Sequence, residues 1–315
     1  MAGNLLKQIF NREIQEGLWD ANEFMAHAID DTPWVNVDQV NLPVAGANPG
    51  VVKDRANKAE SQKRTDGATK YNMHELSTDP TWIQYSEELT VSYDKRKSVL
   101  RQHKNALIDG IAINVLHDWA AGGDDTGTIK PQMVRTSGSA RPVGLETIGS
   151  TAPTGDRKGI AYADVLDVIA VFNKQNVPQG GRYALITADM LKDLQKLDEF
   201  KNSDYYDKKT VEKAPTTFYW LGINWYVRGK VTMWSNATTP LLKAVGADTA
   251  TTSNAGAIFW HKDYVRKAKG NTKTFLNIDV ATAYGSELSA LARYGAFGAR
   301  KDGKGIVNLV ESAVA

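Results

Sequence analysis

Few residues in this chain are of a type and spacing that could do chemistry. Asp125-Thr126-Gly127 spells the triplet of aspartic proteases, where two buried carboxylates share one proton. Such a carboxylate needs apolar flanks, yet Gly122, Gly123 and Asp124 precede it and no second copy of the triplet occurs. It reads as a polar loop. The five histidines (His27, His74, His103, His117 and His261) show no paired i, i+4 spacing for a metal. His103 falls on a helix face and reads as a packed side chain. There is no cysteine, which excludes disulfides, thiolate metal sites and cysteine nucleophiles. The sequence also lacks a phosphate-cradling Gly-rich loop with Lys-Ser/Thr, a nucleophile elbow and a dinucleotide fingerprint. Asn236-Ala237-Thr238 is a glycosylation sequon by spelling alone. Tryptophans and tyrosines are spread at apolar spacings, which suits a core better than a base-stacking platform. The sequence therefore assigns no catalytic residue, no cofactor and no metal, and the expectation is that the chain is not an enzyme.

Charge does concentrate in one stretch. From Ala45 to Ala68 the chain is Gly, Asn, Ala and charge, with almost no apolar residue. Lys53, Arg55, Lys58, Lys63 and Arg64, with Lys70 just beyond, outnumber Asp54, Glu60 and Asp66. Val35, Val37, Val40, Leu42 and Pro43 look like a strand leading out, and Tyr71, Met73, Ile83 and Tyr85 like its return. The segment reads as a long two-stranded protrusion whose tip has no core of its own. Ordering backbone costs about 1–2 kcal/mol per residue, which so few apolar side chains do not offset. The six cations are thus expected to find partners on another surface. A plain disordered loop is the alternative.

The longest element expected is a helix from Asp94 to Ala121. Leu100, His103, Leu107, Ile111, Val115 and Trp119 recur at three- and four-residue steps and stack into one stripe. Ala106, Ile108 and Ala112 widen it, while Lys95, Arg101, Gln102, Lys104, Asn105 and Asp109 fill the other side. Asp94 can cap the first turn and Gly122-Gly123 can stop the last. Lys95, Arg96 and Lys97 oppose the helix dipole, so Ser86 with Glu87 and Glu88 is a rival start. The alternation of Ile83, Tyr85, Leu89, Val91 and Tyr93 favours Asp94. About 26 helical residues would reach roughly 40 Å, a spine for other elements.

The rest follows in order. Met1 to Asp31 gives broken amphipathic turns ended by Pro33, which fit an arm packing on another surface as well as a self-contained helix. Asp124 to Gly159 is rich in Gly, Thr and Pro, with strand-like pieces at Gln132 and Pro142. A helix is expected from about Ala161, with Tyr162, Val165, Leu166, Ile169 and Phe172 inward. Arg182 to Thr187 reads as a buried strand, and Thr187 as the cap of a helix carrying Leu191, Leu194 and Leu197 inward. Phe218 to Val227 alternates, with Ile223, Trp225 and Val227 on one face. Leu241 to Gly256 reads as a surface loop, Ala257 to Trp260 as a buried strand and Tyr264 to Lys267 as a basic turn. Three closing strands are expected, at Thr274–Val280, Glu287–Tyr294 and Ile306–Val310.

Composition is that of a folded protein, with 42% hydrophobic and 23% charged residues. With 38 Lys and Arg against 36 Asp and Glu, net charge names no partner. No apolar run approaches the roughly 20 residues of a membrane span, so no membrane partner is expected. The start lacks a signal-peptide pattern, which leads us to expect use or assembly in a cytoplasm.

Arm, charged protrusion, spine helix, α/β lobe and closing β segment, in that order, resemble a tailed-phage major capsid protein of the Hong Kong 97 type. Three phrases carry the resemblance locally. Leu185-Ile-Thr-Ala-Asp-Met-Leu-Lys-Asp-Leu is similar to the family's strand-then-helix in the axial lobe, and Phe218 to Lys230 to its turn into a strand. Leu291 to Arg300 resembles its closing strand, with a backbone turn at Gly295. The resemblance implies an α+β fold with an N-terminal arm (1–33), an extended loop (34–90), a peripheral domain with the spine (91–158 and 258–315) and an axial domain (159–257). It further implies a virion shell subunit, assembled in a host cytoplasm into hexamers and pentamers around double-stranded DNA contacted non-specifically. Lys53, Arg55, Lys58, Lys63, Arg64 and Lys70 would be inter-subunit contacts. The sequence shows no long charged helical N-terminal extension like the built-in scaffolding region of some members. That implies either a separate scaffolding protein or a processed form, with a portal and in some members decoration proteins as further partners. An encapsulin-like bacterial nanocompartment shell shares the fold and is the alternative, and a soluble hydrolase is the alternative of another class.

Overall fold

The computed structural model describes residues 12, 14, 18, 22–44, 51, 53–55, 58, 61, 63, 67–84, 95–121, 132–140, 157–201, 217–247, 253–280, 284–300 and 302–312. The first half of the chain holds β1 (Ile29–Asp30), β2 (Val35–Asn36), β3 (Gln39–Val44), β4 (Gly67–Asn72), β5 (His74–Ser77), β6 (Thr81–Gln84), α1 (Lys95–Ala121) and β7 (Gln132–Arg135). Then come α2 (Tyr162–Lys174), β8 (Arg182–Thr187), α3 (Ala188–Leu194), α4 (Asp198–Lys201), β9 (Thr217–Trp220), β10 (Ile223–Arg228) and β11 (Thr232–Ser235). The close is β12 (Ser253–His261), β13 (Val265–Val280), β14 (Gly285–Gly298) and β15 (Ile306–Val310).

Helix α1 is the expected spine. All six stripe residues are buried, and Val99, Ala112, Leu116 and Ala120 join them. Ala106 does not: it is exposed. Helix α1 packs on β14 and also meets β5, β6, β11 and β15. The helix also meets the seven-stranded sheet, from Asp109, which pairs with Arg228 of β10, to its last turn, where Asn308 Nδ2 donates to Ala120 O at 3.1 Å. His103 pins the first half, its Nδ1 lying 2.7 Å from Thr78 Oγ1 between β5 and β6. Burial lowers the pKa of this imidazole, as expected of a packed side chain. Asp94 and Gly122-Gly123 lie outside the described residues.

A seven-stranded sheet runs β7-β15-β12-β8-β10-β9, with β11 also on β12. It mixes directions: β8 and β10 are parallel, as are β7 and β15, while β12 is antiparallel to β8, β11 and β15. Its central strands are buried on both faces, which is why they read as continuous apolar runs. Period-two alternation divides them between two cores. Leu185, Ile258, Trp260, Ile306 and Val310 face the core shared with α1. Ala184, Ile186, Ala257, Phe259, Val307 and Leu309 face α2 and α3, with Phe172, Trp220 and Trp225. This sheet draws strands from both sides of residue 258.

The expected inward face of α2 is largely present, Tyr162 and Ile169 packing on the same core as Val165 and Phe172, and only Leu166 departs from it. Val165, Val168 and Phe172 are buried, whereas Leu166 is 42% exposed. Apolar residues occur on several sides of this helix, so periodicity alone does not separate Leu166 from Val168. Asp164 does. Its buried carboxylate accepts from Ala161 N (2.8 Å), Ser137 N (3.0 Å) and Ser137 Oγ (2.6 Å), capping the helix and fixing its rotation. In α3 the expected cap is present, Met190 N donating to Thr187 Oγ1 at 3.3 Å.

A second sheet, β1-β13-β14-β5 with β6 also on β14, is built on a long antiparallel hairpin. The expected pieces at Thr274 and Glu287 are its outer parts, and β13 starts as early as Val265, so only Lys262–Tyr264 form a turn where Tyr264–Lys267 was expected to. Gly295 is likewise no turn but lies inside β14, opposite Ala268. Within the expected loop Leu241–Gly256, Ser253–Gly256 are strand. Gly256 lies against the indole of Trp234, where a side chain would clash. Small residues thus mark close packing here, where composition implies a loop.

Leu107 is 2% exposed, and Leu107→Ala should lower stability by about 2–5 kcal/mol. Gln102→Ala, on the exposed face, should stay within about 0.5 kcal/mol. Thermal denaturation of both variants checks this; equal melting temperatures would contradict the assignment of the face.

Candidate functional site

Strands β2, β3 and β4 form a three-stranded antiparallel sheet, the base of the expected protrusion. Its β3–β4 register runs from Gln39 opposite Asn72 to Val44 opposite Gly67. Val40, Leu42, Tyr71 and Met73 pack on Ala268 and Phe297 of the long hairpin, and Tyr71 stacks on Phe297 at 5.2 Å. A Cβ on Gly295 would meet Met73 Sδ at 2.8 Å and Tyr71 at 3.0 Å, so this glycine makes room for the base. Apolar anchoring stops there: Val51, further out, is 96% exposed.

Of the six cations expected to make contacts, Lys53, Arg55, Lys58, Lys63 and Lys70 are exposed, and Arg64 lies outside the described residues. Lys70 stands on β4 opposite Asn41. Among the described residues none of these five has an ion-pair partner.

What the fold does build is the clamp at the base. Asp31 is buried, and its carboxylate accepts from Arg266 Nη1 (2.8 Å) and Tyr71 OH (3.0 Å). Its backbone N donates to Lys267 O at 2.8 Å, and Thr32 Oγ1 accepts from Lys269 N at 3.0 Å. One carboxylate thus joins β1, β4 and β13. Burial raises its pKa, while Arg266 and the Tyr71 hydroxyl act the other way. Burial and the facing Asp31 charge hold Tyr71 protonated far above the usual phenol range. The turn from β2 to β3 is held as well. Val37 has φ 50°, an unfavourable left-handed conformation for a β-branched residue. Arg293 Nη1 donates to Val37 O at 3.1 Å and its other nitrogen pairs with Asp38. Val37, expected in the strand, is therefore the strained corner of this turn.

Two hollows lie elsewhere. A cleft of about 440 Å³ is bordered by Asn22, Glu23, His27, Tyr226, Lys267 and Lys269. In it His27 stacks on Tyr183 at 4.0 Å, and its Nε2 lies 2.7 Å from Tyr226 OH. Burial first, and Lys267 second, lower its pKa. The other hollow, about 170 Å³ between α1 and β11, includes Ile113, Val231 and Met233. Among the described residues no three metal-ligating side chains converge. No helix among the described residues is long and apolar enough to cross a membrane. Asp125-Thr126-Gly127 lies outside the described residues.

The clamp has a signed pH dependence. A carboxyl whose folded pKa is raised favours folding when protonated, so its contribution falls as pH rises from the ordinary carboxylate value through the folded one. Arg266 limits that loss. Arg266→Met should therefore cost up to about 3 kcal/mol at neutral pH, the low end for breaking a buried pair because Arg266 is 26% exposed. The cost should shrink as acid neutralises Asp31, whereas Asp31→Asn should cost less and show no such recovery. Denaturant melts at two pH values check this.

No family model matches the sequence, and no curated protein matches it. Solved structures do. The capsid of Ralstonia phage GP4 aligns with a TM-score of 0.59 at 10% identity, over 92% of this chain and 88% of that one. The capsid of cyanophage P-SCSP1u aligns at 0.57 and 15% identity, over 92% and 87%. A virus-like particle from Pyrococcus furiosus aligns at 0.54 and 10% identity, over 96% and 99%. At such identities the likeness is one of fold, and it spans nearly the whole chain: the protein has the Hong Kong 97-type α+β fold found in tailed-phage capsids.

Proposed function

We propose that this chain is the major shell protein of a tailed phage, assembling with copies of itself into hexamers and pentamers of an icosahedral head around double-stranded DNA. The observation that carries this is a fold shared, end to end, with subunits of phage capsids. In that role residues 1–33 are the arm, 34–90 the extended loop, 91–158 with 258–315 the peripheral domain and 159–257 the axial domain, the last two sharing the seven-stranded sheet. The chain works as a structural element and not as an enzyme. It is assembled in the host cytoplasm with a separate scaffolding protein and a portal, and decoration proteins fit the same role.

The protrusion is the assembly element. Its base is clamped to the platform by Asp31, and its charged tip meets a neighbouring subunit. Isolated exposed ion pairs contribute only about 0–1 kcal/mol each, so closure depends on many of them repeated around the shell. An encapsulin-like compartment is the second reading. It is favoured by the match over 99% of the Pyrococcus particle subunit, and a neighbouring cargo-enzyme gene, in place of portal and terminase genes, would select it.

Replacing residues 47–67 with a short Gly-Ser turn should leave near-normal circular dichroism and abolish closed particles. Trypsin should cut near Arg55 or Arg64 in free subunits and much more slowly in shells. Normal particles from the deletion, or equal cleavage in both states, would remove the protrusion from this role.

A further inference from the structure

The pin between α1 and the outer sheet has room for one imidazole proton only. Along one side of β14 the ladder is interrupted between β5, whose Ser77 stands opposite Leu291, and β6, whose Thr81 stands opposite Leu288. Thr78 closes the gap. Its backbone N donates to Ala290 O at 2.9 Å, and its Oγ1 accepts from Ala290 N at 3.0 Å. The single hydroxyl proton then goes to Ala290 O at 3.2 Å or to His103 Nδ1 at 2.7 Å. Either tautomer of the neutral ring satisfies Nδ1, as donor in the first case and acceptor in the second. The far nitrogen differs: Nε2 is buried and has no hydrogen-bond partner. A second proton would put an N–H without an acceptor, and a full charge, on a side chain that is 6% exposed. Relief requires the ring to swing out or α1 to part from β14, and either breaks the pin.

The surroundings offer that charge no counterion. On the α1 side of β14 stand Ser286, Leu288, Ala290 and Ala292, all buried and none ionisable. Leu76 of β5 and Ile83 of β6 join the same core. His74 lies beside Tyr294 at the other end of β5, Glu75 stands opposite Arg293, and Asp79 next to Thr78 is exposed. On α1 itself, Lys104 follows the ring and Arg96 donates to Ser286 Oγ at 3.3 Å. Strand β11 faces α1 around Ile113 and His117, and β15 meets it at Ala120, both well past His103. Asn22 meets α1 at Ile108 O, while Glu23 and Arg12 are exposed. Burial is the cause of the lowered pKa of His103, and no charged neighbour contributes.

We infer that the His103–Thr78 contact is an acid-released latch, which frees the first half of α1 from the strand continuing out of the protrusion when the ring takes a second proton. Only Met73 separates β5 from β4 of the protrusion, so the latch and the Asp31 clamp hold the same element from two sides. Their signs are opposite. A group whose folded pKa is lowered contributes fully above its ordinary value, and that contribution is lost as pH falls through the folded one. The Asp31 contribution instead falls as pH rises. Acid therefore shifts the hold on the protrusion from the spine to the clamp. The inference stands on the subunit alone and holds whether or not the chain closes a shell.

The test is amide hydrogen exchange of the full-length chain at about pH 7.5 and 5.5, corrected for intrinsic rates, with assembly followed by light scattering. Opening of the first half of α1 and of β6 should rise severalfold in acid, up to about tenfold at one pH unit below the ordinary histidine value. His103→Asn, which keeps a neutral polar atom near the Nδ1 position, should abolish the rise. His27→Gln, at the other lowered histidine, should keep it. No rise in wild type, an equal rise in His103→Asn, or loss of the rise in His27→Gln overturns the latch. If His103→Asn does not fold, deuterium exchange at the imidazole C2 of wild type decides, because it titrates each ring separately. His103 should then titrate below the exposed His74, with opening of α1 following the same curve. Titration at or above His74, or opening that does not follow the ring, overturns it.

Discussion

Trp119 is the joint between the spine and both sheets. Its indole is fully buried and donates to Arg266 O of β13 at 2.9 Å, while its ring meets Trp260 of β12 at 5.7 Å. Phe24 packs edge-on against both rings, at 5.9 and 6.4 Å, and Trp260 donates in turn to His27 O at 3.0 Å. One residue after Trp119, Ala120 O accepts from the buried Asn308. Sliding α1 along either sheet would unpair these groups, at about 1–3 kcal/mol for each buried donor or acceptor left alone. Spine, long hairpin and seven-stranded sheet therefore move as one platform.

The protrusion is built on the contrary principle. Its base shares a small apolar core and one buried carboxylate with the platform, and its described tip residues are all exposed. Rigid aim with an uncommitted end suits an element whose remaining contacts come from another copy. The strain at Val37 fits this division, because Arg293 of β14 holds the left-handed corner that sets the exit of β3. In the proposed shell each subunit contributes a stiff body and one reaching segment. Closure then draws on many weak contacts in place of a single large one.

How much of this the sequence showed depended on the range of the forces involved. The α1 stripe, the β8 strand with its Thr187 cap, and the alternation of β10 are local, and each was legible in periodicity or a single capping residue. The α2 face was legible except at Leu166, which is exposed while Val168 is buried, because a distant Ser137 and the buried Asp164 fix the rotation. Gly256 and Gly295 looked like loop and turn residues, yet each is small because a ring from another strand lies on it. The charged tip was plain from composition alone. The clamp was invisible: Asp31 before Thr32-Pro33 spells an ordinary turn, and its partners Tyr71 and Arg266 stand 40 and 235 residues away. No local pattern encodes a contact at that separation.

The central claim is that this chain closes a shell with copies of itself. Negative-stain microscopy of the purified full-length chain, expressed alone and with the proposed scaffolding protein, tests it most directly. The account predicts closed particles of uniform diameter, or hexameric and pentameric rings that close once the scaffolding protein is supplied. A population that stays monomeric or dimeric under both conditions, and over a range of concentration and salt, would contradict it.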